Sequence, residues 1–157
     1  MFTEGVISGV IVRELLRYSD KRGWLMEVFR TDELHGDYLP AMGYISMTNP
    51  GLVRGPHEHV DQADTFCFLG PSVFTVFLWD NRPESATYRS KQVISAGEQA
   101  PKSIIIPAGV VHAYKNVGGV TGMVVNFPNR LYKGGGKRQP VDEIRHEDDP
   151  ETIFRID

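Results

Sequence analysis

Three of the chain's five histidines fall in two short stretches whose neighbours could do acid–base or metal chemistry. The first is Pro56-His57-Glu58-His59, with Gln62 and Asp64 just downstream; the second is Pro107-Ala-Gly-Val-Val-His112-Ala-Tyr-Lys-Asn116. In a strand, residues two apart point to the same side, so His57 and His59 are expected to project together. A barrel can bring His112 from a later strand beside them. Imidazoles gathered next to a carboxylate admit two chemistries. One is proton transfer, in which a neutral imidazole takes a proton and a neighbour returns one. The other is coordination of a divalent metal by His57, His59, Asp64 and His112, a donor set suited to Fe, Mn, Zn or Ni. The remaining histidines, His35 and His146, sit in polar surroundings and are expected at the surface.

Bringing these groups together requires strands from well-separated parts of the chain. Sixteen glycines and ten prolines cut the sequence into apolar runs of four to eight residues, the pattern of an all-β sandwich or barrel. Strands are expected at 10–14, 24–29, 44–47, 64–69, 73–79, 91–94, 103–106, 112–116 and 121–127. One short helical turn is expected at 31–35, with Thr31 as its N-cap. The run Val73-Phe-Thr-Val-Phe-Leu-Trp79 is apolar on both faces. It therefore needs sheet on one side and a lined cavity or a partner chain on the other. After Phe127 the composition changes. Lys133-Gly-Gly-Gly-Lys-Arg138 reads as a solvated connector, because nothing around it has the strand-then-helix order of a phosphate loop. Residues 141–157 are mostly charged, with few core candidates, and are expected to decorate the barrel. The reading is one domain over 1–157, with the barrel at about 10–132 and a tail at 133–157.

With 157 residues, 41% hydrophobic and 24% charged, the chain suits one soluble domain. Lys and Arg number 17 against 20 Asp and Glu, a net charge of -3, which argues against nucleic acid or an anionic membrane as the main partner. A local anion site remains open. No apolar stretch reaches the roughly 18 residues of a membrane span, and the N-terminal stretch carries acid where a signal peptide carries base. The expectation is a cytoplasmic protein whose mature chain starts at or near Met1. Cys67 has no partner for an intramolecular disulfide, and its neighbours Phe66 and Phe68 suggest packing within a strand.

The spacing Gly51-x5-His57-x-His59-x4-Asp64, followed by Pro107-x-Gly109-x2-His112-x3-Asn116, resembles the two motifs of the cupin superfamily. That resemblance implies an all-β fold, the double-stranded β-helix or jelly-roll barrel. Four blocks narrow it: Asp20-Lys-Arg22-Gly23-Trp-Leu-Met-Glu27-Val-Phe29, Pro50-Gly-Leu-Val-Arg54-Gly55-x-His57, Trp79-Asp80-Asn-Arg82-x-Glu84-Ser85-x-Thr87-Tyr88, and Ile106-Pro107-x-Gly109-x2-His112. In this order they are similar to the dTDP-4-dehydrorhamnose 3,5-epimerase family, over most of residues 10–132. The resemblance implies a nucleotide-linked 4-keto-6-deoxy sugar bound in the barrel and proton shifts on carbons beside the ketone. It implies no cofactor, a divalent metal being the alternative, and a strand-exchanged homodimer. By the same resemblance His57 is the base and His112 the second site histidine; His59, placed to donate, orient or polarise, and Asp64, placed to orient His57, join them as catalytic candidates. Arg22 and Arg54 match arginines on the diphosphate, Arg22 reaching in from the other subunit. Tyr132 matches an aromatic that stacks on the nucleobase, and Glu27, Tyr44 and Asn126 are the further substrate contacts.

Three positions depart from the family pattern. Asp64 or Ala63 stands where the family has a lysine that steadies the enolate, and no lysine occurs between Lys21 and Lys91. Asn126 stands where a tyrosine acts as acid, and an amide cannot be a general acid. The carboxylate that pairs with the base belongs to a C-terminal extension that this chain is expected to lack, leaving Asp64 or Glu58 as replacements. His57-x-His59 with Tyr44 nearby is also similar to sugar 3,4-ketoisomerases, which work on one sugar face. Epimerase, ketoisomerase, metal-dependent cupin enzyme and non-catalytic nucleotide-sugar binder therefore all remain open at the level of sequence.

Overall fold

In a computed structural model, which describes residues 1–156, the apolar runs become strands and the Gly- and Pro-rich segments become turns. In chain order the described strands are β1 (Thr3–Glu4), β2 (Ile11–Glu14), β3 (Arg17–Asp20), β4 (Gly23–Met26), β5 (Tyr44–Thr48), β6 (Val53–Glu58), β7 (Asp64–Phe68), β8 (Val73–Asp80), β9 (Ser90–Gly97), β10 (Lys102–Ile106), β11 (Val110–Asn116), β12 (Gly122–Asn126) and β13 (Ile144–Arg145). One sheet has the order β1-β9-β8-β11-β6-β13, the other β2-β10-β7-β12-β5, and β3 with β4 forms a separate hairpin. Neighbours pair antiparallel except β1 and β9.

Both sheets contribute one face to a common core. Phe66 and Phe68 of β7 meet Phe74, Val76 and Leu78 of β8 and Tyr114 of β11, all buried. Two sheets closed face to face around such a core form the jelly roll that the cupin-like spacing implies. Cys67, on β7, is buried as expected, and burial pushes its thiol up to about 12, so it stays protonated. No helix among the described residues is long and apolar enough to cross a membrane.

All nine expected strands form, with ends shifted by up to three residues. Four strands escape the sequence reading: β1, β3, β6 and β13. The omission of β6 has a local cause, since Gly55-Pro56 lies inside it and such pairs normally mark turns. The helical turn expected at 31–35 lies instead at Gly36–Tyr38, where His35 rather than Thr31 caps it by accepting from the Asp37 N–H. The outer face of β8 is covered by the chain's own two ends. Phe77 and Trp79 pack against Phe154 of the tail and Phe2 near the N-terminus. The tail is therefore part of the packing, through a Phe154 that charged neighbours conceal in the sequence.

At the end of β8 the fold buries a charge. Asp80 is 0% exposed and accepts from Arg82 Nε (2.8 Å), Arg82 Nη2 (2.9 Å), Ser85 Oγ and Thr87 Oγ1 (both 2.6 Å). Burial alone would raise the carboxyl, but these donors outweigh it and hold the group below the usual carboxylate range. Because the folded-state value is depressed, the stabilisation is complete above the unfolded carboxyl's value of about 4 and is lost as pH falls below it. Asp80→Asn should cost about 2–4 kcal/mol in urea unfolding at pH 7, and the deficit should shrink toward pH 3. A variant as stable as the wild type at neutral pH would remove this role.

Candidate active site

The site begins with a backbone approach. β6 and β11 pair so that His57 stands directly opposite His112, and the register slips between His112 and Tyr114. Gly55 sits at that irregularity with φ +84°, and a Cβ there would meet the His112 carbonyl oxygen at 2.5 Å. Only glycine permits so close a crossing. It places the two imidazole centroids 4.4 Å apart. His59 follows just after β6, its ring 5.8 Å from each of the other two.

Asp64, the first residue of β7, points its carboxylate into this cluster. Its Oδ2 lies 3.1 Å from His59 Nε2 and 3.4 Å from His112 Nε2. Its Oδ1 accepts from Asn126 Nδ2 (2.8 Å) and Gln62 Nε2 (3.0 Å). Both of these imidazoles are held from behind. His112 Nδ1 meets the Val110 carbonyl at 3.0 Å, and His59 Nδ1 meets the Asp142 carbonyl. Burial opposes charge on His59, but Asp64 more than offsets it, and the ring's pKa is raised. Burial likewise works on Asp64, where His59, His112 and Asn126 prevail and hold it low. His57 differs: burial first, then His112 and His59, push it down to about 2, so its ring is neutral.

Beside the cluster opens a cavity of about 1110 Å³, slightly larger than the usual range for ligand sites. His57, His59, Gln62, Tyr44, Arg54 and Tyr132 line it, together with several residues of the tail. The tail thus supplies a wall. Asp142 accepts from the N–H groups of Val60 (2.8 Å), Asp61 (2.9 Å) and Gln62 (2.8 Å), and β13 pairs with β6 alongside His57. This brings Glu143 and Glu147 to 3.9 and 4.0 Å from His57 Nδ1. The expected lack of a C-terminal carboxylate near the base is therefore corrected. Lys133 and Lys137 of the glycine-rich segment line the same cavity, so that segment borders the site rather than running free in solvent. His146, expected at the surface, is tied to Glu58 at 2.8 Å and packs on Phe154, which also turns Glu58 away from His57.

The remaining expected contacts divide. Tyr44, Arg54 and Tyr132 line the cavity. Burial pushes the Tyr44 phenol up to about 12, and its oxygen accepts from Asn126 Nδ2 at 3.0 Å. Arg54 is anchored by Thr48 Oγ1 (3.0 Å) and the Met47 carbonyl (2.7 Å). Asn126 is fully buried behind the wall and joins Asp64 to Tyr44, so within this chain it is a bridge rather than a substrate contact. Arg22 and Glu27 lie outside the cavity. The β3–β4 hairpin carries Arg22 outward, paired with Asp20 at 2.5 Å, and Glu27 pairs with Arg30 at 3.6 Å. Glu143, Glu147 and Lys137 were not singled out as site residues, since nothing in a charged tail marks which carboxylate turns inward.

Fold and site together define a cupin-type jelly roll with a histidine-lined cavity. The model of the dTDP-4-dehydrorhamnose 3,5-epimerase family matches residues 4–139, and the chain belongs to this family of isomerase-class enzymes. It is 38% identical over 128 residues to the probable low-salt glycan biosynthesis epimerase Agl13 of Haloferax volcanii, covering 80% of this chain and 81% of that one. With the spore coat polysaccharide biosynthesis protein SpsL of Bacillus subtilis it shares 34% identity over 150 residues, 94% of each chain. Among solved structures, the dTDP sugar isomerase of Desulfovibrio desulfuricans superposes with a TM-score of 0.80 at 19% identity, over 92% of this chain and 87% of that one. These matches favour an epimerase over the ketoisomerase and the non-catalytic binder.

The tail wall depends on Asp142. Asp142→Ala would leave three backbone N–H groups without their acceptor, at roughly 1–3 kcal/mol. Amide hydrogen exchange at residues 60–62 should accelerate; unchanged protection there would mean that the tail is held by other contacts.

Proposed function

We propose that this protein inverts a carbon beside the ketone of a dTDP-linked 4-keto-6-deoxyhexose, with His57 as base and Tyr44 as acid. The observation that carries the reading is a neutral imidazole and a protonated phenol lining one cavity. A C–H next to a carbonyl is weakly acidic. His57 takes that proton, the C–H pair moves into the ring as an enolate, and the ketone oxygen gains charge. Tyr44 then delivers its proton to the other face of the same carbon. The proton on His57 returns to Tyr44 by way of solvent, which closes the cycle without an organic cofactor. Arg54, with Lys133 and Lys137 nearby on the cavity wall, suits a diphosphate, and Tyr132 suits a nucleobase face.

The phenol replaces the missing tyrosine by one strand. Asn126 and Tyr44 are cross-strand partners on β12 and β5, so an acid absent from one strand is available from its neighbour.

The reading includes a second copy of the chain. Ile45 and Met47 are exposed on β5, an edge strand, and Tyr18, Trp24 and Leu25 are exposed on the protruding hairpin. An apolar edge of this kind calls for a partner, and a second copy would let the hairpin carry Arg22 toward the other cavity.

Incubation with a 4-keto dTDP-sugar in deuterated water tests the chemistry. Label should enter at C3 or C5. His57→Asn should slow exchange by about 10²–10⁴-fold, whereas Tyr44→Phe should keep exchange and lose the inverted product. Inversion at the wild-type rate by Tyr44→Phe would remove the phenol as the acid. Light scattering reads the assembly: Leu25→Arg should turn a dimer into a monomer, and a wild-type monomer would sink that part.

A further inference from the structure

One wall of the cavity is a stretch of chain that the proton chemistry does not use. Residues 131–141 leave the barrel after β12 and return to it before β13, and both roots rest on the same short loop, residues 60–63. At the first root Asn129 Oδ1 accepts from the Ala63 N–H (2.8 Å), the Asn129 N–H goes to the Ala63 carbonyl (3.1 Å), and Arg130 Nε donates to Asp61 (2.9 Å). At the second, Asp142 takes the N–H groups of Val60, Asp61 and Gln62. A surface segment of this length with its ends together is an Ω-type loop.

Between the roots little ties it to the barrel. The Tyr132 N–H approaches Met42 Sδ at 3.1 Å. The other hydrogen bonds of 131–141, among the described residues, stay inside the segment: Gly134 to Leu131, Lys137 to Gly134 and Gln139 to Lys133. Every residue in it except Gly134 is exposed, although several line the cavity. A segment with so few buried contacts is free to shift as a unit. Its backbone is also held away from ordinary values. Lys133 (φ +57°) and Lys137 (φ +59°) are left-handed, a region that residues other than glycine rarely enter, and they are two of only four such residues among those described.

Charge indicates what the segment meets. The cavity is lined by the cations Arg54, Arg130, Lys133, Lys137 and Arg145. Arg130 and Arg145 are each held by an acid, Asp61 at 2.9 Å and Glu143 at 3.1 Å. Arg54, Lys133 and Lys137 have no carboxylate partner among the described residues. Arg54 is bonded to Thr48 Oγ1 and the Met47 carbonyl, and Lys133 Nζ lies over the Tyr132 ring at 5.7 Å. Unpaired cations around one cavity call for an anion, and two of the three are carried by the part of the wall that can move. We infer that residues 131–141 are a strap that closes over an anionic ligand, with Lys133 and Lys137 drawn toward the anion that Arg54 holds from the barrel. The strap's second root is fixed from inside, since the Asp142 carbonyl also meets His59 Nδ1, so closure is confined to the middle of the segment. Closing shuts water out from above the proton-transfer groups. That the anion is a diphosphate rests on the dTDP-sugar reading; that the strap closes over an anion does not.

Amide hydrogen exchange on the full-length protein tests this with dTDP, thymidine and inorganic pyrophosphate as probes, while thermal midpoints show which of them bind. dTDP should slow exchange across residues 133–139 by about tenfold or more, and thymidine should leave it as in the free protein. Pyrophosphate should act as dTDP does, at higher concentration. The double variant Lys133→Gln, Lys137→Gln should bind dTDP about tenfold more weakly and with a shallower salt dependence. Unchanged exchange under bound dTDP, equal slowing by thymidine, or a double variant that binds dTDP as the wild type does overturns the strap. A protein that binds no dTDP sinks the dTDP-sugar reading, and pyrophosphate then decides alone: slowed exchange at 133–139 keeps the strap, and unchanged exchange removes it.

Discussion

Asp64 is a carboxylate at 1% exposure, in a barrel whose other inward positions are mostly aromatic and aliphatic. Taking such a group out of water costs several kcal/mol unless partners surround it. Its partners come from three parts of the chain: Asn126 from β12, His112 from β11, and Gln62 and His59 from the loop between β6 and β7. Satisfying one anion therefore fixes the relative placement of both sheets at the end where the cavity opens. His57 inherits its position from the same requirement, since β6 must pair with β11 at the register that presents His112 to Asp64. Gly55 is the residue that lets the two backbones come close enough.

The tail completes what the barrel starts. Asp142 is bound both ways, its carboxylate by three loop N–H groups and its carbonyl by His59, so the loop that carries Gln62 is clamped from outside. Farther along, Phe154 fills the hollow over Trp79 and Phe77, and His146 reaches Glu58 on β6. Between these two anchorages lies the segment with Glu143 and Glu147. Because both ends are fixed, two carboxylates stay within 4.0 Å of His57 Nδ1 although neither makes a close hydrogen bond in this state. Their charge favours the imidazolium that forms when His57 takes up a proton. Burial, His112 and His59 still hold that ring low, and Asp64 is the group that chiefly opposes them.

Much of this was legible beforehand because the determining signals are local. Alternating apolar runs between glycines and prolines give strands wherever they occur, and two residues two apart in a strand share a face, so His57 and His59 could be paired from spacing alone. His112 was recoverable through its motif. The tail was not, because its contribution is made by long-range pairing. Glu143 carries no mark that separates it from Asp148 or Asp149, and a two-residue strand such as β13 has no periodicity to detect. Phe154 in a charged stretch reads as an isolated apolar residue until Trp79 is seen beneath it. Asn126 was misread for a different reason. Its position in the pattern was right, but which way an amide on a barrel strand turns depends on the buried charge it must satisfy.

That last point bears on how the site divides its labour. Asn126 gives one N–H to Asp64 and the other to Tyr44, so a single planar amide sets the distance between the carboxylate and the phenol. A donor on Tyr44 Oη removes one of its lone pairs, leaving the phenolic proton free to turn toward the cavity. An acid on β12 itself would compete with Asp64 for the same interior space. Moved across the ladder to β5, the phenol keeps a protonated group at the wall while the interior keeps its anion. Asparagine on β12 and aspartate on β7 are then two halves of one arrangement. The amide is the neutral donor that a buried carboxylate requires, and the proposed proton source, Tyr44, lies one strand away.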